Sequence, residues 1–402
     1  MENILSNTKN ILLNLSQHLT EETSYLMKHF LGQTLSNIST LESFNESNRI
    51  YAFGDLSKLN HLSTFLFIIE EFSQNYNHLS SSKYQCVRLG QLPININNAG
   101  VYYRNLFDKD SIFQNLVEEH DFQELTESTK SSKAIRKGIY LTNIEKSIEE
   151  NQEALNFRLL RCSSNLTGPT ENFRATDLFI KNIVNQLIKY DFEVGIDLNH
   201  VLAQIYVNKK KEGNNGKELK ARIKAHSDKT KDMPEEGLIA FCTFYDHINL
   251  NTLEPSKMDR FDFVYKKNSG LNRLLFKLKP TVDDPNLVKE FSVTLYPNSA
   301  FIIPLSTNRL YTHEIRPSAL DVDKIPTRLG YVMRCSNLNA VYKNNATFIQ
   351  NGDHLVPLQP MTAEHLEDLR TTYYEENISE KKVKYQDVFF SMNTGDYEKP
   401  IY

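Results

Sequence analysis

The sequence predicts an α+β protein, with a helical amino-terminal segment ahead of a core of many short strands. Three observations predict it. Apolar residues recur at helical spacing over residues 1 to about 80. Residues 177–190 carry Phe179, Ile180, Ile183, Val184, Leu187 and Ile188 at the same period. Beyond them the chain breaks into short apolar runs separated by turn residues, the pattern of a β-sandwich or barrel.

In chain order, Ile11, Leu12, Leu13, Leu15, Leu19, Leu26 and Leu31 set the first helical stripe. A second helix is expected from Leu59 through Leu62 and Phe65 to Phe72, in a segment where Gly and Pro are scarce. The Ser/Asn-rich residues 75–83 read as a loop. Tyr102-Tyr103 opens a strand, residues 111–119 suit a short helix, and 138–141 form a short apolar run. Residues 157–162 read as a strand and 165–170, with Gly168-Pro169, as a turn. Strands are then expected at 201–207, 221–226, 238–245, 261–265, 274–278, 291–295, 300–303, 310–315 and 330–335, followed by a helix at 363–375. The organisation this implies is a helical extension over 1–83, a central domain over 84–345 with its barrel at about 190–340, and a C-terminal helix and tail over 346–402. The tail's tyrosines imply docking on the core.

The 402 residues are 40% hydrophobic and 24% charged, ordinary values for a soluble globular chain. A net charge of -4 gives no global field for nucleic acid or a membrane surface. Cys86, Cys162, Cys242 and Cys335 lie far apart without a CxxC, which argues against a zinc module or a disulfide framework. The first ten residues lack an apolar signal core. The densest apolar run, Phe65 to Ile69, is far too short for a membrane span. The expectation is a soluble intracellular protein, cytoplasmic or nuclear.

The chemistry-bearing residues are His226-Ser227-Asp228, His313, Arg328 and Arg334. Alternate residues of a strand share a face, so His226 and Asp228 can bind one ion together. A distant His313 completes two imidazoles and one carboxylate on one face of the ion, the arrangement of non-haem Fe(II) oxygenases. A cationic strand after the last ligand calls for a further explanation. A 2-oxoglutarate cosubstrate supplies one, since its far carboxylate needs a fixed bidentate cation. The same three ligands also suit a hydrolytic zinc, and a His-x-Asp pair by itself is often a surface feature. The order of strand, His-x-Asp, several strands, His and arginine strand favours the oxygenase. With Asp228 present no ligand position is left for halide, which favours hydroxylation.

Four segments resemble the AlkB-like branch of the 2-oxoglutarate/Fe(II) dioxygenases: Gln204-Ile205-Tyr206, His226-Ser227-Asp228, residues 308–317, and Arg328-Leu329-Gly330-Tyr331-Val332-Met333-Arg334. The resemblance covers residues 155–340. It implies a double-stranded β-helix core, of the jelly-roll or cupin kind, with flanking helices. It also implies Fe(II) on His226, Asp228 and His313, with dioxygen and 2-oxoglutarate as cosubstrates. Arg328 would grip the distal carboxylate, Arg334 would lie nearer the metal, and Tyr206 with Gln204 would stand beside the ketoacid. Gln204, Gly330 and Val332 depart from the family's Asn, Asn and Thr, residues 208–219 are an insertion, and Lys229-Thr230-Lys231 replace acidic residues.

The substrate is not carried over by the resemblance; a modified nucleic acid, a protein side chain and a small metabolite all suit the chemistry. Arg161, Arg174 and Lys229 are the candidate substrate contacts. Residues 207–231 hold nine Lys/Arg against three acidic residues, either a steering patch for an anion or a solvated hairpin. The amino-terminal helices would serve packing, recognition or homo-oligomerisation. A zinc hydrolase and a non-catalytic jelly-roll binding protein are the two alternative classes.

Overall fold

The computed structural model describes residues 5–38, 44, 47–59, 64–127, 130–149, 152–162, 166–211 and 217–402. The insertion's tip at 212–216 and part of the turn expected at 165–170 lie outside these residues. Among them, no helix is long and apolar enough to cross a membrane.

Two sheets face each other across an apolar interior. The larger orders its central strands as Lys130–Thr142, His200–Tyr206, Arg328–Arg334, Leu238–Tyr245, Ser299–Pro304 and Gly100–Tyr103. The smaller orders Ile223–His226, Tyr311–Arg316, Arg273–Leu278 and Glu290–Thr294. From His200 onward the chain crosses repeatedly between the two. One strand lies in the large sheet, the next in the small, then one large, two small, one large, one small, and the arginine strand returns to the large sheet. Phe241, Ile239, Phe301 and Ile303 from one sheet meet Leu274, Phe276, Phe291 and Val293 from the other in a single cluster. The outer face of the large sheet is covered by the helices Ile112–Glu119 and Ala175–Asp191, whose Leu116, Ile180, Val184 and Leu187 pack on Val201, Leu329 and Met333. With both faces covered, Leu238–Tyr245 is buried along its whole length, which is why it reads as an unbroken apolar run.

The amino-terminal segment is not a helical extension. Asn10–Leu15, Gln33–Leu35, Arg49–Asp55, Leu66–Gln74 and Tyr84–Val87 form an all-parallel five-stranded sheet, with a single α-helix, Glu21–His29, among the described residues there. The stripe of leucines misled because a strand buried on both faces is apolar at every position. Leu12 faces Leu26, Phe30 and Tyr51 on one side of the sheet, while Ile11 and Leu13 face Ile50, Leu66 and Ile68 on the other. Of the second expected helix, residues 60–63 lie outside the described residues and the part from Leu66 onward is the strand Leu66–Gln74. Gly54, with a φ of 102°, lets the strand Arg49–Asp55 pass its neighbour: a side-chain carbon there would stand 2.3 Å from the Ser16 nitrogen. The segment expected to offer helices for oligomerisation offers, among the described residues, this sheet and the one α-helix.

A fourth sheet, antiparallel, joins Glu145–Glu149, Gln152–Leu159, Leu338–Lys343, Ala346–Asn351 and His354–Pro357. Its last strands fall where only a helix and tail were expected. The helix Ala363–Ile378 follows, and the tail beyond it docks, with Phe390 buried and the Asn172 amide donating to the Ile401 carbonyl at 2.8 Å.

One buried polar clamp ties the outer helices to the large sheet. His120 closes the helix Ile112–Glu119, and its ring nitrogens lie 3.0 Å from Glu171 and 2.8 Å from Asp177. Tyr331 of the arginine strand donates to the other Asp177 oxygen at 2.8 Å. Burial opposes protonation of His120, but hydrogen bonds to Asp177 and Glu171 outweigh it and push its pKa up to about 9 from 6.5. The clamp's stabilisation is then fully present below about pH 6.5 and is lost as pH rises through about 9. A His120→Gln variant should be less stable by roughly 3 kcal/mol at pH 6. Urea unfolding should show that gap closing as the wild type is taken above pH 9.

Candidate metal centre

Strand pairing brings the two imidazoles together. His226 ends its strand directly opposite His313 of the neighbouring antiparallel strand, and their ring centroids are 4.5 Å apart. Asp228, two residues on, turns the Oδ1 of its carboxylate to both rings, 3.5 Å from His226 Nε2 and 3.9 Å from His313 Nε2. The three ligand atoms lie within 4.8 Å of one another. The Nδ1 of His226 lies 2.9 Å from the Lys224 carbonyl, which makes Nδ1 the protonated nitrogen and leaves Nε2 as the lone-pair donor. His313 is wedged against Phe241 and Phe276, with ring centroids at 5.3 and 5.6 Å. Burial, with His226 beside it, pushes its pKa down to about 3, so it stays neutral and able to ligate.

Asp228 is held from all sides. Its Oδ2 accepts from Arg334 Nε at 2.9 Å and from Nη2 at 2.7 Å. Asn308 grips its backbone: the Asp228 amide donates to Asn308 Oδ1 and the Asn308 amide donates to the Asp228 carbonyl, both at 2.8 Å. Burial resists ionisation, yet Arg334 and the two histidines outweigh it and hold the carboxyl well below its usual range. The carboxylate thus presents one oxygen to an ion while the other is committed to Arg334.

Arg328 stands in a different state. It is 2% exposed, it lies on the same inward face of its strand as Arg334, and its guanidinium sits 3.9 Å over the Tyr206 ring. Its Nε and Nη2 are buried without a hydrogen-bond partner among the described residues. The Tyr206 hydroxyl donates to Gln204 Oε1 at 2.8 Å, so Gln204, Tyr206 and Arg328 form one connected wall. Gly330 makes that wall possible, since a side-chain carbon there would come 2.8 Å from Arg328 Nη1 and 3.2 Å from Tyr206.

The other expected site residues separate. Lys229 lines an open cleft of about 310 Å³ beside His226, and its ammonium lies 4.7 Å from the Tyr373 ring centroid. Arg161 is committed to the interior. Its guanidinium is buried against Asp232, at 2.8 and 3.1 Å, and donates to the carbonyls of Val388 and Phe390. Arg174 precedes the helix on the outer face of the large sheet, away from the ligands, with its amide donating to Asp177. Arg334 serves Asp228 first. In the basic hairpin, Lys210 lies 3.8 Å from Asp323 and Lys220 3.3 Å from Glu218, while Lys209, Lys211 and Lys224 are exposed. Asn308, Asn377 and Glu376 support the ligands and were not singled out from sequence.

No protein-family model matches the chain, and no curated protein matches it. Among solved structures it is similar to OsALKBH1, at 12% identity over 59% of this chain and 96% of that one, with a TM-score of 0.34. It is also similar to an oxidoreductase of the 2OG-Fe(II) oxygenase family from Burkholderia pseudomallei, at 6% identity over 48% and 73%, with a TM-score of 0.24. Likeness at this level leaves the chemistry to the residues themselves.

Replacing Arg334 by Met should leave Asp228 as an uncompensated buried charge. The expected cost is about 3–5 kcal/mol of stability, measured by urea unfolding of metal-free protein at neutral pH. A loss below about 1 kcal/mol would mean that the pair contributes nothing beyond an exposed one.

Proposed function

We propose that this chain is an Fe(II)/2-oxoglutarate-dependent dioxygenase built on a double-stranded β-helix. The crossing of successive strands between two facing sheets supports that architecture. The observation that carries the activity is Arg328, a buried cation with two unused donors on the inward face of the strand that also supplies Arg334. An orphaned guanidinium in an apolar interior is costly unless a ligand completes it. A dicarboxylate suits it, because one carboxylate can take the Arg328 fork while the ketoacid end reaches the metal.

The residues fit the metal. His226 Nε2, His313 Nε2 and Asp228 Oδ1 converge: two imidazoles, of which burial keeps that of His313 neutral, and a carboxylate with its proton held off. Bound iron, with 2-oxoglutarate and dioxygen, would supply the oxidant that hydroxylates a substrate C–H bond as the ketoacid becomes succinate and carbon dioxide. The chain's own part is positioning. Arg328, braced by Tyr206 and Gln204, fixes the cosubstrate. Arg334 fixes which Asp228 oxygen is free, and the aromatic packing around His313 keeps water from that side. The partly exposed edge of His226 opens on the cleft where Lys229 stands, and the substrate would approach there.

Anaerobic addition of Fe(II) and then 2-oxoglutarate to the purified protein should raise the weak visible charge-transfer band of a ketoacid chelate. His226→Ala should abolish it by losing the metal. Arg328→Ala should still bind metal but need far more ketoacid. Retained zinc, with no ketoacid binding and no effect of Arg328→Ala, would overturn the oxygenase reading in favour of a hydrolase. Independently, Gly330→Thr should displace Arg328 and weaken 2-oxoglutarate about tenfold, as for one misplaced charged hydrogen bond, with metal affinity unchanged.

A further inference from the structure

We infer that Asn377 and Glu376, at the end of the C-terminal helix, are positioning residues for the metal ligands. On this account metal occupancy and docking of that helix depend on each other. The inference rests on the metal-binding reading of His226, Asp228 and His313.

The segment from Ser227 to Thr230 is the part of the site that no strand holds: the strand ends at His226, and Asp228 lies beyond it. Two asparagines and a glutamate hold it instead. From below, Asn308 makes its paired hydrogen bonds to the Asp228 backbone. From above, Asn377 Oδ1 accepts from the Ser227 amide at 2.7 Å. Glu376 accepts from the Thr230 amide at 3.1 Å and from the Thr230 hydroxyl. The two contacts from the helix bracket Asp228, one residue before it and two residues after.

The helix end is itself fixed by side chains around it. Lys279, 2% exposed, donates to the carbonyls of Glu376 at 2.7 Å and Ser379 at 3.0 Å, a cation at a helix C-terminus. The Tyr385 hydroxyl donates to the second Glu376 oxygen, so both carboxylate oxygens are used. Tyr373 lies beneath Lys229 and donates to the Arg161 carbonyl at 3.2 Å. Any tilt of the helix must therefore move the backbone on both sides of Asp228. By linkage, an ion that needs Asp228 in place also favours the docked helix by the same free energy.

The test is binding of Co(II), a spectroscopic stand-in for Fe(II), to the full-length protein, read by its visible d–d absorption. Asn377→Ala should weaken Co(II) about 10- to 100-fold, the usual range for a partner that orients a ligand. Asn377→Asp keeps an oxygen for the Ser227 amide and should restore most of the affinity and the spectrum. His120→Gln, in the clamp on the outer face of the large sheet, should lower the unfolding midpoint without that loss. Hydrogen exchange of residues 363–378 should slow when Co(II) is added. Unchanged Co(II) affinity in Asn377→Ala, with the wild type binding normally, would overturn this inference alone. Equal loss in the Ala and Asp variants would also overturn it. Absence of Co(II) binding by the wild type would instead overturn the metal-site reading on which it rests.

Discussion

The ion pair between Asp228 and Arg334 is the interaction on which the site depends. Asp228 follows the last residue of a small-sheet strand, and Arg334 ends a strand of the large sheet, so the pair spans the interior between them. Burying two charges costs several kcal/mol each, and their attraction offsets this only when the geometry is good and the remaining lone pairs are used. Here two guanidinium nitrogens meet one oxygen, at 2.9 and 2.7 Å, and the other oxygen faces the imidazoles. The same contact that keeps Asp228 ionised also decides which of its oxygens remains free. Stability of the sandwich and readiness of the site are thus the same interaction seen twice.

The two arginines of that strand show how context divides identical side chains. They are six residues apart, both nearly inaccessible, and both face inward. Arg334 meets a carboxylate. Arg328 meets the face of Tyr206, which stabilises a cation without satisfying its donors. Gly330 between them removes the side chain that would otherwise occupy the space beside Arg328. In sequence, Gly330 is a departure from the Asn of the family pattern. In the structure it is the residue that leaves the guanidinium room beside the ring.

How much of this was legible in the sequence depended on what constrained each position. Short apolar runs bounded by turn residues marked the two facing sheets, even where a strand such as Leu238–Tyr245 is buried on both faces, and one-sided burial gave residues 177–190 the period of the outer helix. The amino-terminal sheet was missed because burial on both faces erases the period: Ile11, Leu12 and Leu13 are all inaccessible, and such a run fits a helix equally well. Arg161 and Arg174 were singled out by their place before the barrel, and the long-range contacts that engage them are not written in the local sequence. The first is neutralised by Asp232, seventy-one residues away, and the second lies behind the sheet.

The ligands were legible for a different reason from their supports. Metal chemistry admits few residue types, so His226, Asp228 and His313 announce themselves by identity and order. The groups that hold Asp228 need only present an oxygen or an amide at the right place, and Asn, Gln, Ser, Thr or backbone can all do so. Asn377 lies 150 residues from Ser227, and nothing local in an amphipathic helix separates an asparagine that grips a ligand loop from one that faces water. Residue type limits what can bind the ion. Only the fold determines what can hold the binding residue still, so the supporting half of such a site is read from contacts and not from motifs.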